Sequence, residues 1–473
     1  MFDLDVSYSI LLIIFILAAC GFEFVNGFHD TANAVATVIY TNTLKPTFAV
    51  IWSGSFNFLG VLWGSYLGMS VAMSIVNLLP VEALVDQNIA QGLSMVAALL
   101  ISAIFWNLIT WYYGIPCSSS HTLVSAILGV GIAYYLLPDA GDGGVNWSKA
   151  KEIGLSLLLS PAVGFTLTIL LMLLLRMVTR KSKDADELFK EPKKNAPPPF
   201  WIRGILVLTC TLVSFFHGNN DGQKGVGLIM LILIGIVPAY FALDKGVEIE
   251  KLRQPLSQIE SILKNVDSAH LSSSDKTKYD KLVYMQTDLK NHFASGVKLN
   301  DVPKQKRFEV RKDIMLMDRD LKSLMGKEDV RLSSSDKETL SASMKTLRKA
   351  TDYSPPWVTV LISLSLGIGT MIGWKRIVKT IGEKIGKEHL TYAQGASAEL
   401  VAAGTIGLSS VWGWPVSTTQ ILSSSVAGSM VASKGVKNLQ PATVRNILLT
   451  WALTLPVVVV LSGTLFLLFR SIF

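Results

Sequence analysis

The sequence GFHDTANAVAT occupies residues 27–37, directly after the apolar run at residues 10–24. A related phrase, HGNNDGQKGVG, occupies residues 217–227 after the apolar run at 202–216. Asp30, Asp221 and Lys224 are therefore ionisable residues inside strongly apolar sequence. A charged side chain at the centre of a membrane helix costs about 2.5–3.5 kcal/mol, so it is rarely kept without a function. The two matching copies predict one site to which both halves of the chain contribute.

The composition indicates a membrane protein. Half of the 473 residues are hydrophobic and 16% are charged, whereas soluble domains carry about 25% charged residues. Apolar runs of about 20 residues, enough to cross a hydrocarbon core of ~30 Å, recur along the chain. The net charge of +8 does not indicate nucleic-acid binding, because the basic residues concentrate in loops beside apolar runs. We predict an all-α polytopic protein of the lipid bilayer.

The apolar runs form two similar sets. We predict about ten full crossings, plus short motif helices at 31–41 and 222–242. Loop 80–91 carries two acidic residues and no basic one, whereas its counterpart 375–389 carries five lysines and arginines. This reversal predicts two inverted-topology repeats with broken or re-entrant helices, since matching loops then lie on opposite sides of the membrane. The predicted crossings are residues 10–24, 48–79, 92–113, 122–137, 153–178, 202–216, 357–374, 393–412, 421–436 and 447–469.

Charge also divides the chain into regions. We predict a first transmembrane repeat at 1–180, a linker at 181–201, a second repeat at 202–243 and 357–473, and a polar insertion at 244–356. Residues 176–203, the linker with its flanks, carry eight lysines and arginines. The linker is therefore assigned to the cytoplasm, which places both termini and the insertion outside. The insertion repeats the sequence LSSSDK at 271–276 and 332–337. Because serine before a helical stretch is a good N-cap, we predict a small helical bundle or a long hairpin.

A second duplicated phrase is rich in hydroxyl groups. PCSSSHT at 116–122 and PVSTTQI at 415–421 each precede an apolar run. A helix N-terminus carries about half a positive charge and free backbone amides, and it therefore binds oxyanions. Plain N-capping is the alternative for either copy alone. The candidate substrate ligands are Ser118, Ser119, Ser120, Thr122, Ser417, Thr418 and Thr419.

Carboxylates beside an anion site imply a cation or a proton that moves with the anion. Asp30 with Asn33, and Asp221 with Asn220, offer oxygen ligands for a hard cation. Helix ends that meet at the bilayer midplane, with substrate on the N-termini and coupling ions on oxygens, are typical of secondary transporters. The sequence therefore predicts transport of an anion together with a cation or a proton.

These four motifs resemble the signature of the inorganic phosphate transporter (Pit) family, and most closely its bacterial low-affinity members. The resemblance covers nearly the whole chain outside 244–356. It implies a symporter of the bacterial inner (plasma) membrane that takes up phosphate, driven by protons. The phosphate would travel as a neutral complex with a divalent metal ion (Mg, Ca or Zn). The resemblance implies no cofactor and no fixed metal site, and it is compatible with a homodimer.

Carried over by position, Asp30 and Asp221 are expected to couple transport to a cation or proton, together with His29 and Asn220. Asn33 and Lys224 are expected to join the hydroxyl residues in binding substrate. Lys224 stands where the first copy has Asn33, and Gln420 stands where the second copy is expected to have a histidine equivalent to His121. Sodium-coupled relatives keep asparagine in both copies, so we predict that the Lys224 ammonium replaces a sodium ion and that protons drive transport.

Two other functions remain open from the sequence alone. A sulfate or other oxyanion permease would use the same hydroxyl motifs. A membrane-embedded enzyme would need a nucleophile–base pair or a metal-binding cluster, and the nearby His29, His121 and His217 show no metal-ligand spacing. Glu23 and Glu399 also lie in apolar sequence, where they are either proton-relay groups or residues that snorkel from a segment end.

Overall fold

The computed structural model describes residues 2–79, 89–137, 145–180, 184–193, 196–266, 271–327, 330 and 332–472. These residues are mostly helical, and no β-strand occurs among them. Their internal contacts divide the chain into two compact units. The apolar unit comprises Asp5–Ile232 and Ser354–Phe473, and the insertion unit comprises residues 2–4 and Leu233–Tyr353. The insertion unit thus begins earlier in the chain than the predicted insertion at 244–356.

The helices before and after the linker match one another in order and in length. The first set has 35, 22, 7, 24, 17 and 33 residues, and the second has 37, 16, 9, 20, 17 and 30. The first set is α1 Val6–Tyr40, α2 Pro46–Leu67, α3 Ser70–Val76, α4 Ile89–Tyr112, α5 Ser119–Tyr135 and α6 Trp147–Thr179. The second set is α7 Phe200–Ile236, α13 Pro356–Met371, α14 Lys375–Glu383, α15 Tyr392–Val411, α16 Thr418–Lys434 and α17 Pro441–Arg470.

Six of the described helices are long and apolar enough to cross a membrane, or seven if α13 and α14, which are bent by 63°, form one span. The six are α1, α2, α4 (from Ala90), α6, α7 and α17. Length and composition thus select fewer helices than the roughly ten predicted crossings. The number of crossings remains a prediction.

The sequence predicted a separate short helix for each aspartate motif, and this prediction is wrong. Residues 31–40 continue α1, and residues 222–236 continue α7. The motif glycines instead allow close helix packing, since a Cβ atom on Gly27 would lie 2.5 Å from the backbone oxygen of Leu366 on α13. Asp30 and Asp221 therefore lie inside long continuous helices, not at helix breaks.

Two other boundaries differ from prediction. The predicted crossing at 48–79 is interrupted at residues 68 and 69, where α2 ends before α3. Residues 375–383, predicted as part of a basic loop, form helix α14. Most of the acidic loop 80–91, whose charge supported the inverted repeats, lies outside the described residues.

Helices of one set pack against helices of the other. Gly27 on α1 faces Leu366 on α13, and Gly218 on α7 faces Asn57 on α2. In the same way α6 packs on α16, and α5 packs on α17. Helices at the same position in the two sets thus make corresponding contacts with the opposite set. The packed core includes Val35, Val38, Leu206, Ile406 and Val426.

The insertion unit contains a small helical bundle, as predicted. The predicted N-caps are present: Ser272 accepts a hydrogen bond from the Asp275 amide at 3.2 Å, and Ser333 accepts one from the Asp336 amide at 3.0 Å. Apolar residues at helical spacing, such as Ile259, form the core. The helices are α8 Pro238–Phe241, α9 Glu250–Lys264, α10 Ser273–His292, α11 Arg307–Met325 and α12 Ser334–Arg348.

Candidate functional site

The two hydroxyl motifs are helix starts. Ser118 caps α5 by accepting from the His121 amide at 3.1 Å, and Ser417 caps α16 by accepting from the Gln420 amide at 3.1 Å. The connections before them turn at Gly114 and Gly413, whose φ angles of +66° and +72° favour glycine. N-capping therefore accounts for the side-chain oxygens of Ser118 and Ser417. The other hydroxyl groups of the two motifs are available for hydrogen bonds elsewhere.

The hydroxyl motif of the second set meets the aspartate of the first. The Thr419 hydroxyl donates to one oxygen of Asp30, and the Thr418 Oγ1 lies 3.1 Å from the other. Thr418 Oγ1 also lies 3.2 Å from Asp221 Oδ2. A hydroxyl has one proton, so Thr418 donates to one carboxylate at a time. Both motif aspartates and this helix start thus share one site, which we call the central cluster.

Lys224 connects the cluster to both helix starts. Its ammonium donates to Asp221 Oδ1 at 2.5 Å, to Ser120 Oγ at 2.5 Å and to the Val416 carbonyl at 2.7 Å. The Lys224 and Asp221 side chains are 3% and 1% exposed. An ammonium has three protons, and here each has an acceptor, as a buried ion pair requires to offset desolvation.

His217 is a third ionisable member of the cluster. Its Nε2 lies 3.4 Å from Asp30 Oδ2 and 3.3 Å from Asp221 Oδ2. Its Nδ1 lies 2.9 Å from Asn57 Oδ1, and the Asn57 amide nitrogen donates to Thr370 Oγ1 at 2.8 Å. This network assigns the Nδ1 proton as the donor to Asn57, so Nε2 faces both carboxylates.

The sequence contained a signal for His217 that our interpretation did not use. His217, Asp221 and Lys224 are spaced by four and three residues, which places them on one face of α7. The expectation that no metal site forms rested on the spacing of His29, His121 and His217, whereas His217 meets Asp221 and Asp30, which comes from the other half of the chain. One ligand atom each from Asp30, His217 and Asp221 lie within 4.8 Å of one another, close enough to hold a metal ion.

Several predicted site residues have structural partners instead. His29 faces α4, with Nε2 3.3 Å from Thr110 Oγ1, and the Thr122 hydroxyl donates to the Ser118 carbonyl at 3.0 Å. Asn220 donates to Ser410 and to the Trp414 carbonyl at 3.0 and 3.1 Å, and so supports the connection before α16. The contacts of His29, Thr122 and Asn220 thus place them in the support around the cluster.

The structure describes the side chain of Ser119 but not that of Asn33, which are two further predicted substrate ligands. Ser119 Oγ is buried and has no hydrogen-bond partner among the described residues. The Asn33 side chain lies outside the described part of the chain, although its backbone belongs to α1. Among the described residues, Ser119 is therefore the member of the hydroxyl motifs whose side-chain oxygen has no hydrogen-bond partner.

A buried ionisable cluster assembled from two matching sets of apolar helices is typical of a membrane transporter. The chain belongs to the phosphate transporter family, whose model matches residues 26–462. This confirms the family resemblance read from the four motifs. The family and its similar members are transporters and not enzymes. The enzyme alternative is therefore set aside.

Similar proteins match over nearly their full lengths. The low-affinity inorganic phosphate transporter of Buchnera aphidicola subsp. Acyrthosiphon pisum is 40% identical over 482 residues, covering 98% of this chain and 97% of its own. The low-affinity inorganic phosphate transporter PitA of Escherichia coli (strain K12) is 40% identical over 492 residues, with the same coverage. A probable low-affinity inorganic phosphate transporter of Bacillus subtilis is 28% identical over 464 residues, covering 98% of both chains.

One solved structure has a similar fold. It is a sodium-dependent phosphate transporter with a TM-score of 0.56 and 20% sequence identity, and the match covers 98% of this chain and 100% of that one. At this identity the likeness concerns the helical membrane fold alone.

Proposed function

We propose that this protein takes up inorganic phosphate as a proton-driven symporter and carries it as a complex with a divalent metal ion. The proposal places it in the bacterial inner membrane, with both termini outside the cytoplasm. Its substrate follows from the relatives, which are named as inorganic phosphate transporters over nearly the whole chain. The observation that carries the coupling is the position of the Lys224 ammonium.

Lys224 gives the cluster a fixed positive charge. It lies three residues after Asp221, where the other copy of the motif has Asn33, and it makes a 2.5 Å ion pair with Asp221. A covalently attached ammonium at this position removes the need for a sodium ion to neutralise Asp221. With both carboxylates ionised and His217 neutral, one negative charge remains, and a mobile proton or metal ion can balance it.

The donors of the cluster fit the two parts of a metal–phosphate complex. Asp30, His217 and Asp221 offer two carboxylate oxygens and one imidazole nitrogen, a set that binds Zn²⁺ and other divalent metals. The starts of α5 and α16, with the Ser119 hydroxyl, offer a site for the phosphate oxygens. Since the carboxylates would bind the metal and the helix starts the anion, a neutral complex suits this site better than free phosphate.

The arrangement of helices supports movement by alternating access. The two sets match in order and exchange packing partners, which is consistent with inverted repeats around a shared site. In our proposal the first repeat is 1–180, the second is 202–243 with 357–473, and 181–201 is the cytoplasmic linker. About ten crossings then require that the shorter helices α5, α13, α15 and α16 also span.

Reconstituted transport tests the proposal. The full chain is placed in proteoliposomes, and uptake of labelled phosphate is measured with an imposed proton gradient, an imposed sodium gradient, or neither. We expect the proton gradient to stimulate uptake in Mg²⁺, and EDTA to suppress it. Uptake that follows the sodium gradient would contradict the role of Lys224, and preferential uptake of labelled sulfate would identify an oxyanion permease of different specificity.

The metal part has its own matched pair of variants. His217→Gln removes a nitrogen ligand from the cluster, whereas His29→Gln alters a buried histidine that faces Thr110. Because Zn²⁺ prefers imidazole more than Mg²⁺ does, His217→Gln should weaken uptake of Zn²⁺–phosphate more than that of Mg²⁺–phosphate. Equal loss with both metals, or the same selectivity change in His29→Gln, would argue against metal binding at His217.

A further inference from the structure

Two fully buried carboxyl groups lie in the apolar unit outside the central cluster. Glu23 on α1 and Glu399 on α15 each have a side chain with 0% exposure. The sequence left open whether they relay protons or snorkel to water. Complete burial of both excludes snorkelling in this conformation.

Glu23 has little to stabilise a negative charge. Its Oε2 accepts from the Asn26 amide at 3.2 Å, while Glu23 Oε1 and Asn26 Oδ1 have no hydrogen-bond partner among the described residues. Both unpartnered atoms are acceptors, so a proton on the carboxyl is the donor that the pair lacks. The carboxyl packs against Gly225 on α7, where any side chain would overlap it.

Glu399 is bonded in a similar way. Its Oε2 accepts from the Thr209 hydroxyl on α7 at 2.6 Å, and its Oε1 has no hydrogen-bond partner among the described residues. The Thr37 hydroxyl on α1 lies beside it. Like Glu23, it is a buried carboxyl with few donors.

The charged groups around these two carboxyls do not neutralise them by contact. His217, Asp221 and Lys224 face Glu23 from α7 at longer range, and the Cys210 thiol faces Glu399. Within the described residues, neither glutamate forms an ion pair like that between Asp221 and Lys224. A buried ionised carboxylate without a cationic partner is strongly disfavoured, so both groups hold a proton in this conformation.

The two carboxyls lie on opposite sides of the cluster along α1. Glu23, Asp30 and Thr37 are spaced by seven residues, which is close to two turns and places them on one face. At 1.5 Å per residue, each step is about 10 Å along the helix. Glu23 thus precedes the cluster on the side toward the N-terminus, and Glu399, beside Thr37, follows it on the other side.

We propose that Glu23 and Glu399 carry the coupled proton to and from the central cluster, one on each side of it. This rests on the proposed proton symport. In one cycle Glu23 gives its proton to the cluster and takes another from water on its own side. Glu399 releases its proton to water on the other side and is reloaded from the cluster. One proton thus crosses for each cycle, and both carboxyls return to their starting state.

The test separates proton movement from phosphate movement. Glu23→Gln and Glu399→Gln keep the size and the acceptor oxygen but cannot release a proton. In proteoliposomes of the full chain we expect each variant to lose uptake driven by a proton gradient by about 100-fold, the order of a lost acid–base group. Exchange of labelled for unlabelled phosphate at equal pH needs no net proton transfer, and it should remain near the level of the unmodified protein.

Conservative variants distinguish a proton carrier from a packing residue. Glu23→Asp and Glu399→Asp keep a titratable carboxyl and should recover part of the gradient-driven uptake. Thr209→Val, which removes the donor to Glu399 but leaves its carboxyl, should retain coupling. The inference is overturned if the Gln variants respond fully to the proton gradient, or if uptake and exchange fall together in both the Gln and Asp variants.

The same experiment separates this inference from the proposed function. If the unmodified protein transports phosphate without responding to protons, the proposed coupling fails and the inference fails with it. If the unmodified protein responds to protons and both Gln variants do so equally, only the assignment of Glu23 and Glu399 is wrong.

Discussion

The apolar unit and the insertion unit use ion pairs in opposite ways. In the apolar unit the Lys224–Asp221 pair is 3% and 1% exposed. In the insertion unit the Lys264–Glu260 pair, at 2.8 Å, is 72% and 22% exposed. Water stabilises the separate charges of the exposed pair, whereas each partner of the buried pair depends on the other. A short N–O distance therefore says little about energy until burial is known.

The insertion unit shows what exposed pairing does achieve. Lys264 and Lys290 each donate to Glu260 at 2.8 Å, and these hydrogen bonds lower the pKa of Glu260 to about 2. The carboxyl is solvent-exposed on one side, so the effect on folding is screened. In the apolar unit the hydrogen bonds of Lys224 organise the central cluster, and we expect their removal to lower the free energy of unfolding far more.

Breaking the buried pair should have the largest effect. Lys224→Met leaves Asp221 buried without its main partner, and loss of one partner of a buried pair costs about 3–5 kcal/mol. We expect a clear fall in the unfolding temperature of the purified full chain, together with loss of phosphate uptake. The double variant Asp221→Asn/Lys224→Met should recover stability but not transport.

Lys264→Met is the matched control from the insertion unit, and exposed pairs contribute less than about 1 kcal/mol. If the unfolding temperature falls as much in this variant as in Lys224→Met, the contrast between the two units is wrong.

The next effect concerns substrate affinity. Ser119 Oγ is buried and has no partner among the described residues, so it is available to a phosphate oxygen. Removing a hydrogen bond to a charged group costs about 1.5–3 kcal/mol, which is roughly 10- to 150-fold in affinity. Ser119→Ala should raise the apparent dissociation constant for phosphate by that order.

Ser125 provides the control for Ser119. It lies in the same helix, and its hydroxyl is likewise buried without a partner among the described residues. Ser125→Ala should leave phosphate affinity unchanged, because Ser125 is more than a turn beyond the helix start. Equal changes in both variants, measured by equilibrium binding of labelled phosphate, would indicate a packing effect.

A smaller effect is expected at the helix start in the insertion unit. Ser333 caps α12 and exchanges hydrogen bonds with Asp336 in a capping box. Ser333→Ala should destabilise this helix by about 1 kcal/mol, which hydrogen exchange of α12 peptides in the full chain can measure. Ser335→Ala, an exposed serine in the first turn, should change protection much less, and an equal loss would show that the cap is not the cause.

The smallest effect is a pH dependence in the insertion unit. Burial, a hydrogen bond to Asp288 and the nearby Glu309 raise the pKa of Asp313 to about 7, with Lys312 opposing them. The folded state therefore binds a proton more tightly than the unfolded chain, so stability should fall as pH rises from about 4 to about 7. Solvent screens this half-buried group, which keeps the effect small.

Hydrogen exchange of α11 peptides, corrected for the intrinsic pH dependence of exchange, measures this slope. Asp313→Asn should remove it, because the amide does not titrate. A slope that persists in Asp313→Asn would assign the pH dependence to other groups.

Sequence patterns predicted the composition of the site better than its geometry. The duplicated motifs named Asp30, Asp221 and Lys224, and these do lie together. The same reasoning grouped His29 with them, but His29 faces Thr110 on α4 instead. Adjacent residues on a helix point in directions about 100° apart, so neighbours in a motif need not share a site. Conversely, His217 was passed over although its spacing places it on the face of Asp221.

The sequence by itself determined that the chain is an apolar helical protein with a repeated motif, and that the insertion helices α10 and α12 begin at serine caps. These properties depend on local composition, on helical spacing and on bonds within one turn. Only the tertiary structure decided that the motif helices are continuous, and that Asp30 meets Thr418 and His217. The contacts of Asp30 with His217 and Thr418 join residues 187 and 388 positions apart. They depend on how two sets of helices pack through their glycines. No pattern within a single segment contains that information.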